Sequence, residues 1–407
     1  MNKSMSSKMI KGIENLVLNI LIYTYAAFSG ILFVGLPLLK SWLRGEIKKF
    51  KDRSDVLENL YTQDPYYGKH KTLVIDGCTF HYVEAGNVNG PLVLFIHGFP
   101  EYWYSWRHQL EGLREMDYHL VAVDMRGYGG SYRPREVSEY NYDLLLGDIR
   151  GFIQELSPNG RAAGGVLSWQ AAAQSWELDH ADKSGYIERL IILNAPHTLV
   201  WRDNFIRRFL DLVRFGNLKS LVSNPRETVH HSWEHVKPCF QQFLMSFYIS
   251  VFQLRYVAEK WMTCGDLRFL DFTIGKIPGG NVTTEDLEKY KATFSADNFS
   301  SVTGGLNYYR GNAIMGLYNE QKDRGVKQIG FVGIPTLVIW GEKDQALQMQ
   351  MNLDNLGSYV SNLKIVSIPE AGHFVQQEVP EKVNDIIRKF ITSKGNLHDL
   401  GENDTLY

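Results

Sequence analysis

Cysteine is scarce in this 407-residue chain: Cys78, Cys239 and Cys264 are odd in number and widely spaced. That excludes a disulfide framework, and no Cys/His cluster has the spacing of a zinc site, so the three read as thiols in a reducing setting. Neither sign of charge dominates, with 43 Lys and Arg against 45 Asp and Glu and a net charge of −2. With no basic run beyond the N-terminal region, nothing marks a nucleic-acid partner. Internal repeats and low-complexity tracts are absent. So is any Gly-x-Ser-x-Gly elbow, which argues against a serine esterase. What remains is a globular composition, 44% apolar and 22% charged. The length suits one large α/β domain with an insertion, or two ordinary domains.

Charge is also missing from one local stretch. Leu16 to Leu39 is 24 residues without a charged side chain, enough for one helical crossing of a bilayer core. The apolar part of a cleaved signal peptide spans about 7–15 residues and ends at small residues; this stretch is longer and runs into Lys40. The expectation is an N-terminal segment 1–53 with a transmembrane helix over about 16–39 and a basic linker. Lys3, Lys8 and Lys11 precede the stretch, whereas Lys40, Arg44, Lys48, Lys49, Lys51 and Arg53 follow it. That asymmetry leans the rest of the chain to the cytosolic face of a single-pass membrane protein, expected in the endoplasmic reticulum. The glycosylation tripeptides at Asn281, Asn298 and Asn403 point the other way.

Beyond residue 53 the pattern is one of strands alternating with helices. "KTLVID" and "TFHYVEAG" read as a hairpin turning at Gly77. "PLVLFIHG", "YHLVAVDMRG", "ERLIILNAPH", "IPTLVIWGEKD" and "LKIVSIPEAGH" hold apolar runs of the kind found in buried parallel strands. Helices are expected at 142–156 and 380–392. The fold class is therefore α/β, a mostly parallel sheet covered on both faces. Residues 54–199 and 328–394 form its two parts. The helical, aromatic-rich stretch 200–327 is an inserted cap, and 395–407 is a polar tail.

In such sheets reactive groups follow the carboxyl ends of strands. After the first buried strand come His97, Gly98, Phe99 and Pro100, a tight turn able to aim the Phe99 N–H at a developing oxyanion. After two late strands come Asp344 and then His373. Acid followed by histidine is the order of an α/β-hydrolase charge pair, with Asp344 holding the imidazole and His373 activating water. Either residue alone has an ordinary reading, a helix cap or a satisfied turn histidine; in this order they reinforce one another.

"HGFPEYWYSWRHQL", "DMRGYGGSYRP", "LNAPH", "LNYYRG", "WGEKD" and "EAGHF" together resemble the epoxide hydrolases of the α/β-hydrolase fold over about residues 55–394. The membrane-anchored branch looks most similar. The resemblance implies an aspartate nucleophile in a Gly-His-Asp-Trp-Gly-Gly elbow, which opens a lipophilic epoxide, a fatty-acid epoxide among them, into a covalent ester. It implies two cap tyrosines that hold and protonate the epoxide oxygen, and a His–Asp pair that drives water onto the ester to release a vicinal diol. By motif, Tyr248 ("SFYISVFQL") and Tyr309 ("GGLNYYRG") take the tyrosine positions. His373 becomes the base, Asp344 its partner and Phe99 an oxyanion donor. His97, Pro100, Trp103 and Trp106 shape the site. No metal and no organic cofactor is implied.

The elbow itself is missing. Gly160-Arg161-Ala162-Ala163-Gly164-Gly165 falls on the family's motif, with Trp169 also in register, and it puts Ala162 at the nucleophile position. Alanine cannot form the ester. The preceding "ELSPNG" contains Pro158 and no β-branched residue, so it does not read as a buried central strand. Asp179 and Asp182 follow no strand, and Ser168 follows no glycine turn. Three readings stay open. Residues 157–185 come from an exon or frame error, or from an alternative splice form; the protein is a pseudoenzyme holding an apolar ligand on the membrane; or another residue does the chemistry.

Overall fold

A computed structural model describes residues 50–393 apart from 64–65, 158–161, 164–168, 176–184, 216–224, 278–280 and 312–329, together with a few positions before residue 50. The charge-free stretch 16–39 lies outside the described residues, except Gly35 and Leu39, as does the tail 395–407. Among the described residues no helix is long and apolar enough to cross a membrane.

The frame is an eight-stranded sheet. Its strands are β1 (Lys69–Ile75), β2 (Cys78–Gly86), β3 (Leu92–Phe95), β4 (His119–Val123), β5 (Ala162–Ala163), β6 (Ile187–Leu193), β7 (Thr336–Gly341) and β8 (Leu363–Ile368). They lie in the order β1-β2-β4-β3-β5-β6-β7-β8. β1, β2 and β4 pair antiparallel, and every pair from β4 to β8 is parallel. Each residue of β3, β4 and β7 is buried, so both faces of the sheet are covered, as the unbroken apolar runs require. The hairpin between β1 and β2 turns at Asp76 and Gly77, both with positive φ.

Short-range chemistry sets the helices. α1 (Ser54–Glu58) precedes the sheet, and α2 (Arg107–Gly112) packs against β2 and β4. Asn141 caps α3 (Tyr142–Leu156) by accepting the Leu144 N–H at 3.1 Å. The inserted region is helical where it is described: α4 (Thr198–Phe215), α5 (Pro225–Met245), α6 (Phe247–Phe252), α7 (Val257–Phe272) and α8 (Thr284–Gly311), the last broken at Ala296–Phe299. The sheet domain ends with α9 (Met349–Leu353), α10 (Val375–Glu378) and α11 (Pro380–Thr392). Pro380 opens α11, where its missing N–H has no helical partner to lose.

Arg53, read from sequence as the end of a linker, is instead buried against the cap. Its guanidinium meets Asp266 at 2.5 Å and Glu288 at 3.0 Å. The chain therefore touches the cap before it enters the sheet.

The cap seats on the sheet domain through missing side chains. A Cβ on Gly304 would collide with the Gly127 carbonyl oxygen and lie 2.8 Å from the Gly127 Cα, and one on Gly305 would enter the Phe99 ring. Gly127 itself has φ +88, a region in which glycine is at ease. Helix α8 thus rests backbone to backbone on the loop after β4. Gly304→Ala should be destabilising by about 1–3 kcal/mol, because overpacking at this contact outweighs the roughly 0.5–1 kcal/mol gained in helix propensity. Urea unfolding of the two chains checks this; a variant more stable than the parent would refute the contact.

Candidate active site

Asp344 sits just past the end of β7, and its carboxylate collects four donors. Oδ1 accepts the N–H groups of Ala346 (2.7 Å) and Leu347 (2.9 Å). Oδ2 accepts from Asn194 Nδ2 (2.7 Å) and His373 Nδ1 (2.9 Å). Burial would raise its pKa, but the His373 charge and these hydrogen bonds prevail, and it lies below the ordinary 3.8. Asn194 follows β6 with φ 40, a conformation asparagine tolerates. It is tied to β7 by accepting the Gly341 N–H at 2.8 Å. So two neighbouring strands fix one carboxylate. Nothing local in "LNAPH" marks Asn194 for this task.

His373 follows β8. Its Nδ1 is committed to Asp344, which leaves Nε2 for a proton from water. Burial would lower the imidazole pKa, but Asp344, followed by Glu101 and Glu378, outweighs it, and the net shift is upward from 6.5. Glu378 accepts the N–H groups of Gly372 (2.6 Å) and Phe374 (3.0 Å), so the loop carrying His373 is bound on both sides of the ring. Glu101, adjacent to the His-Gly-Phe-Pro turn, is buried. It accepts from Gln376 (2.8 Å) and Gln377 (2.9 Å), and burial raises its pKa against those bonds and the His373 charge. Both glutamates escaped the sequence reading, although Glu101 stands beside a motif residue.

His97 is held neutral. Its Nε2 accepts the Met125 N–H at 3.0 Å, so Nδ1 carries the proton and donates to the Gly98 carbonyl at 2.8 Å. Burial lowers its pKa, in keeping with that state. It ties the turn after β3 to the loop after β4. Pro100 is buried in the same turn. Trp106 packs on Phe95 at 5.2 Å between ring centroids, and Trp103 lies edge-on to His70 at 4.9 Å. Both belong to the packing beneath the site.

Two cap helices bring the tyrosines together. Tyr248 on α6 and Tyr309 on α8 have ring centroids 6.1 Å apart, nearly perpendicular. Phe252 contacts both, at 5.3 and 5.0 Å. Burial raises both phenols, Tyr309 to about 12 and Tyr248 well above 10; Tyr309 and the Asp344 charge add to the Tyr248 shift. Both are therefore proton donors at neutral pH. Of the two, Tyr248 feels the charge of the Asp344 carboxylate. Phe99 reaches up from the turn to Phe252 (5.8 Å), Tyr309 (6.2 Å), Phe294 (6.2 Å) and Phe269 (6.3 Å), an aromatic wall around the phenols.

Ala162 does not stand in a turn. It lies in β5, paired with Leu92 and Ile187, and Ala163 pairs with Val93 and Arg189. β3 runs on to Phe95, so Ala162 is three residues short of the level at which β3 ends. The elbow placement expected from the motif is corrected accordingly. The centre of the sheet needs a strand bonded on both sides, and the two alanines fill that need. Ser168, Asp179 and Asp182 lie outside the described residues.

A family model of the alpha/beta hydrolase fold matches residues 91–380. "Epoxide hydrolase 1" of Caenorhabditis elegans is 32% identical over 379 residues, covering 91% of this chain and 79% of that protein. "Epoxide hydrolase 4" of Mus musculus is 31% identical over 380 residues, covering 91% and 92%. Among solved structures, a Bacillus megaterium epoxide hydrolase in complex with an inhibitor superposes with a TM-score of 0.58 at 26% identity, covering 79% of this chain and all of that one.

The raised His373 pKa has a checkable sign. The folded chain holds this proton more tightly than the unfolded chain does. The contribution to stability is thus full below pH 6.5 and fades as pH rises through the higher folded value. NMR titration of the imidazole should give a midpoint above 6.5 that falls in Asp344→Asn. A native midpoint at or below 6.5 would contradict the geometry.

Proposed function

This chain belongs to the epoxide hydrolases of the α/β-hydrolase family, and from that premise we propose that its site takes a lipophilic epoxide and holds the groups for hydrolysis to a vicinal diol, the attacking carboxylate excepted. The observation that carries the reading is a pair of facing, buried, protonated phenols in a chain whose strand ends also hold a carboxylate-backed imidazole. Tyr248 and Tyr309 donate to the epoxide oxygen. A carboxylate attacks one ring carbon, the C–O bond breaks, and the alkoxide takes a phenol proton. His373 Nε2 then removes a proton from water, whose oxygen adds to the ester carbonyl, and the Phe99 N–H supports the oxyanion that develops. Asp344 stabilises the imidazolium. Collapse breaks the ester C–O bond, the departing diol oxygen takes the carboxyl proton, and the imidazolium proton returns to the phenolate, so that carboxylate, imidazole and phenol are restored as the diol leaves. The aromatic wall around Phe99 suits an apolar substituent, as in a fatty-acid epoxide. None of these steps calls for a metal or an organic cofactor.

The attacking carboxylate is what this chain lacks at position 162. As it stands, the chain holds the epoxide oxygen and does not form the ester. A second reading follows from the segment around β5, where the motif position holds no aspartate and "ELSPNG" ahead of it holds no β-branched residue. A form of the protein with a different segment over 157–185 would carry both a full strand and the aspartate. The stretch 16–39 would hold either form at a membrane.

A lipophilic epoxide incubated with this chain should quench its tryptophan fluorescence, yet yield neither diol nor a covalent adduct by mass spectrometry. Ala162→Asp should restore neither, because residue 162 stands within the strand. Strong turnover by that single variant would overturn the assignment of the missing step to the whole segment.

A further inference from the structure

The two phenols can share one oxygen only if the helices that carry them keep a fixed spacing. Two adjacent pairs of residues provide it. Gln253, at the end of α6, donates Nε2 to the Tyr309 carbonyl at 3.1 Å, and Arg310 donates Nε to the Phe252 carbonyl at 2.7 Å. The bonds are reciprocal. Each helix sends a side chain to the other's backbone, one residue from the tyrosine on α8 and at the end of the short helix that begins beside Tyr248. The Phe252 carbonyl belongs to the negative end of α6, where a cation is favoured.

Arg310 does more than span the pair. Its Nη1 meets Glu259 Oε1 at 2.6 Å and Asn307 Oδ1 at 3.3 Å. Its side chain is only 6% exposed. One guanidinium thus joins α6, α7 and α8. The planar fork makes both directed bonds at once, which a lysine ammonium cannot reproduce. Between the straps, Phe252 acts as a spacer in contact with both phenol rings.

We propose that Arg310, with Gln253 as its counterpart, is the positioning residue that sets the distance between the Tyr248 and Tyr309 hydroxyls, and hence the affinity of the site for a single acceptor oxygen. The proposal rests on the reading of these tyrosines as the oxygen-binding pair, and it needs no ester chemistry.

The test uses the full chain and two probes. One is a long-chain secondary amide, whose carbonyl oxygen can accept both phenol hydrogen bonds. The other is the hydrocarbon of equal length. Tyr309→Phe should weaken amide binding roughly tenfold, the loss of one directed hydrogen bond. Arg310→Met should weaken the amide by a similar factor while changing hydrocarbon binding less than twofold. Arg310→Lys, which keeps the charge near Glu259 but loses the Nε bond, should follow Arg310→Met. The double variant Tyr309→Phe with Arg310→Met should bind the amide no worse than Tyr309→Phe alone. Additive losses, or equal losses for both probes, would reduce Arg310 to a general structural role and overturn the proposal. An amide indifferent to Tyr309→Phe would overturn the reading of the site, and the proposal with it. If Arg310→Met does not fold, Gln253→Met reads the same cycle from the other strap.

Discussion

Everything at this site depends on how closely the cap can lie on the sheet domain. Gly304 and Gly305 let α8 rest against Gly127 and Phe99 without a side chain between them. That contact fixes the height of the helix, and Tyr309 stands just over one turn further along it. Were the helix to ride out by the thickness of a methyl group, Tyr309 would shift relative to Phe99 and Phe252, which it contacts. The rest of the cap reinforces the same seat. Tyr104 donates to Asp286 at 2.7 Å, Arg107 donates to Gln377 at 2.8 Å and to the Asn281 carbonyl at 3.0 Å, and Arg53 grips Asp266 and Glu288. Buried ion pairs add little net stability because both charges lose water. Their value here is in orientation, since a single arrangement satisfies them.

The same polar chain reaches the loop that carries His373. Arg107 and the Tyr290 hydroxyl both donate to Gln377 Oε1, and Gln377 Nε2 donates to Glu101. Glu101 in turn adds to the field that favours the His373 imidazolium. Cap seating and the charge at His373 are therefore linked through neutral amides, which transmit orientation without a further buried charge. Asp344 shares in this link through His373, whose charge and hydrogen bond lead the effects that hold its pKa down against burial.

Much of this was legible in the sequence because the signals were local. The hairpin at Gly77, the span of α3 and the unbroken apolar runs of β3, β4 and β7 follow from periodicity and turn chemistry. The order Asp344 then His373 marked the charge pair, and motif context marked Tyr248 and Tyr309. The residues that went unread act across the fold. Asn194 has meaning only because β6 lies beside β7. Glu101 and Glu378 have it only because two loops meet at His373. Gln253 and Arg310 have it only because α6 and α8 cross, since each bonds to a backbone more than 50 residues away. Ala162 failed in the opposite direction. A good local match to an elbow gave way to the need of the central sheet for a strand, a long-range demand that a six-residue motif cannot express.

That demand bears on why a single alanine is not the whole of the loss. A carboxylate at the elbow would join Asp344, Glu101 and Glu378 around one imidazole. Like charges in a buried site raise one another's pKa unless a cation or directed donors hold them. Asp344 has its four donors, and Glu378 has two backbone N–H groups. Glu101 has two amides and an already raised pKa. An added aspartate would have only the donors of its own turn, and those exist only if a full strand delivers that turn to the end of the sheet. In β5, residue 162 pairs with Leu92, three residues short of the level at which β3 ends. The strand and the carboxylate are therefore one requirement: the sheet must carry the charge to the level of its donors, and position 162 has neither the carboxylate nor that level.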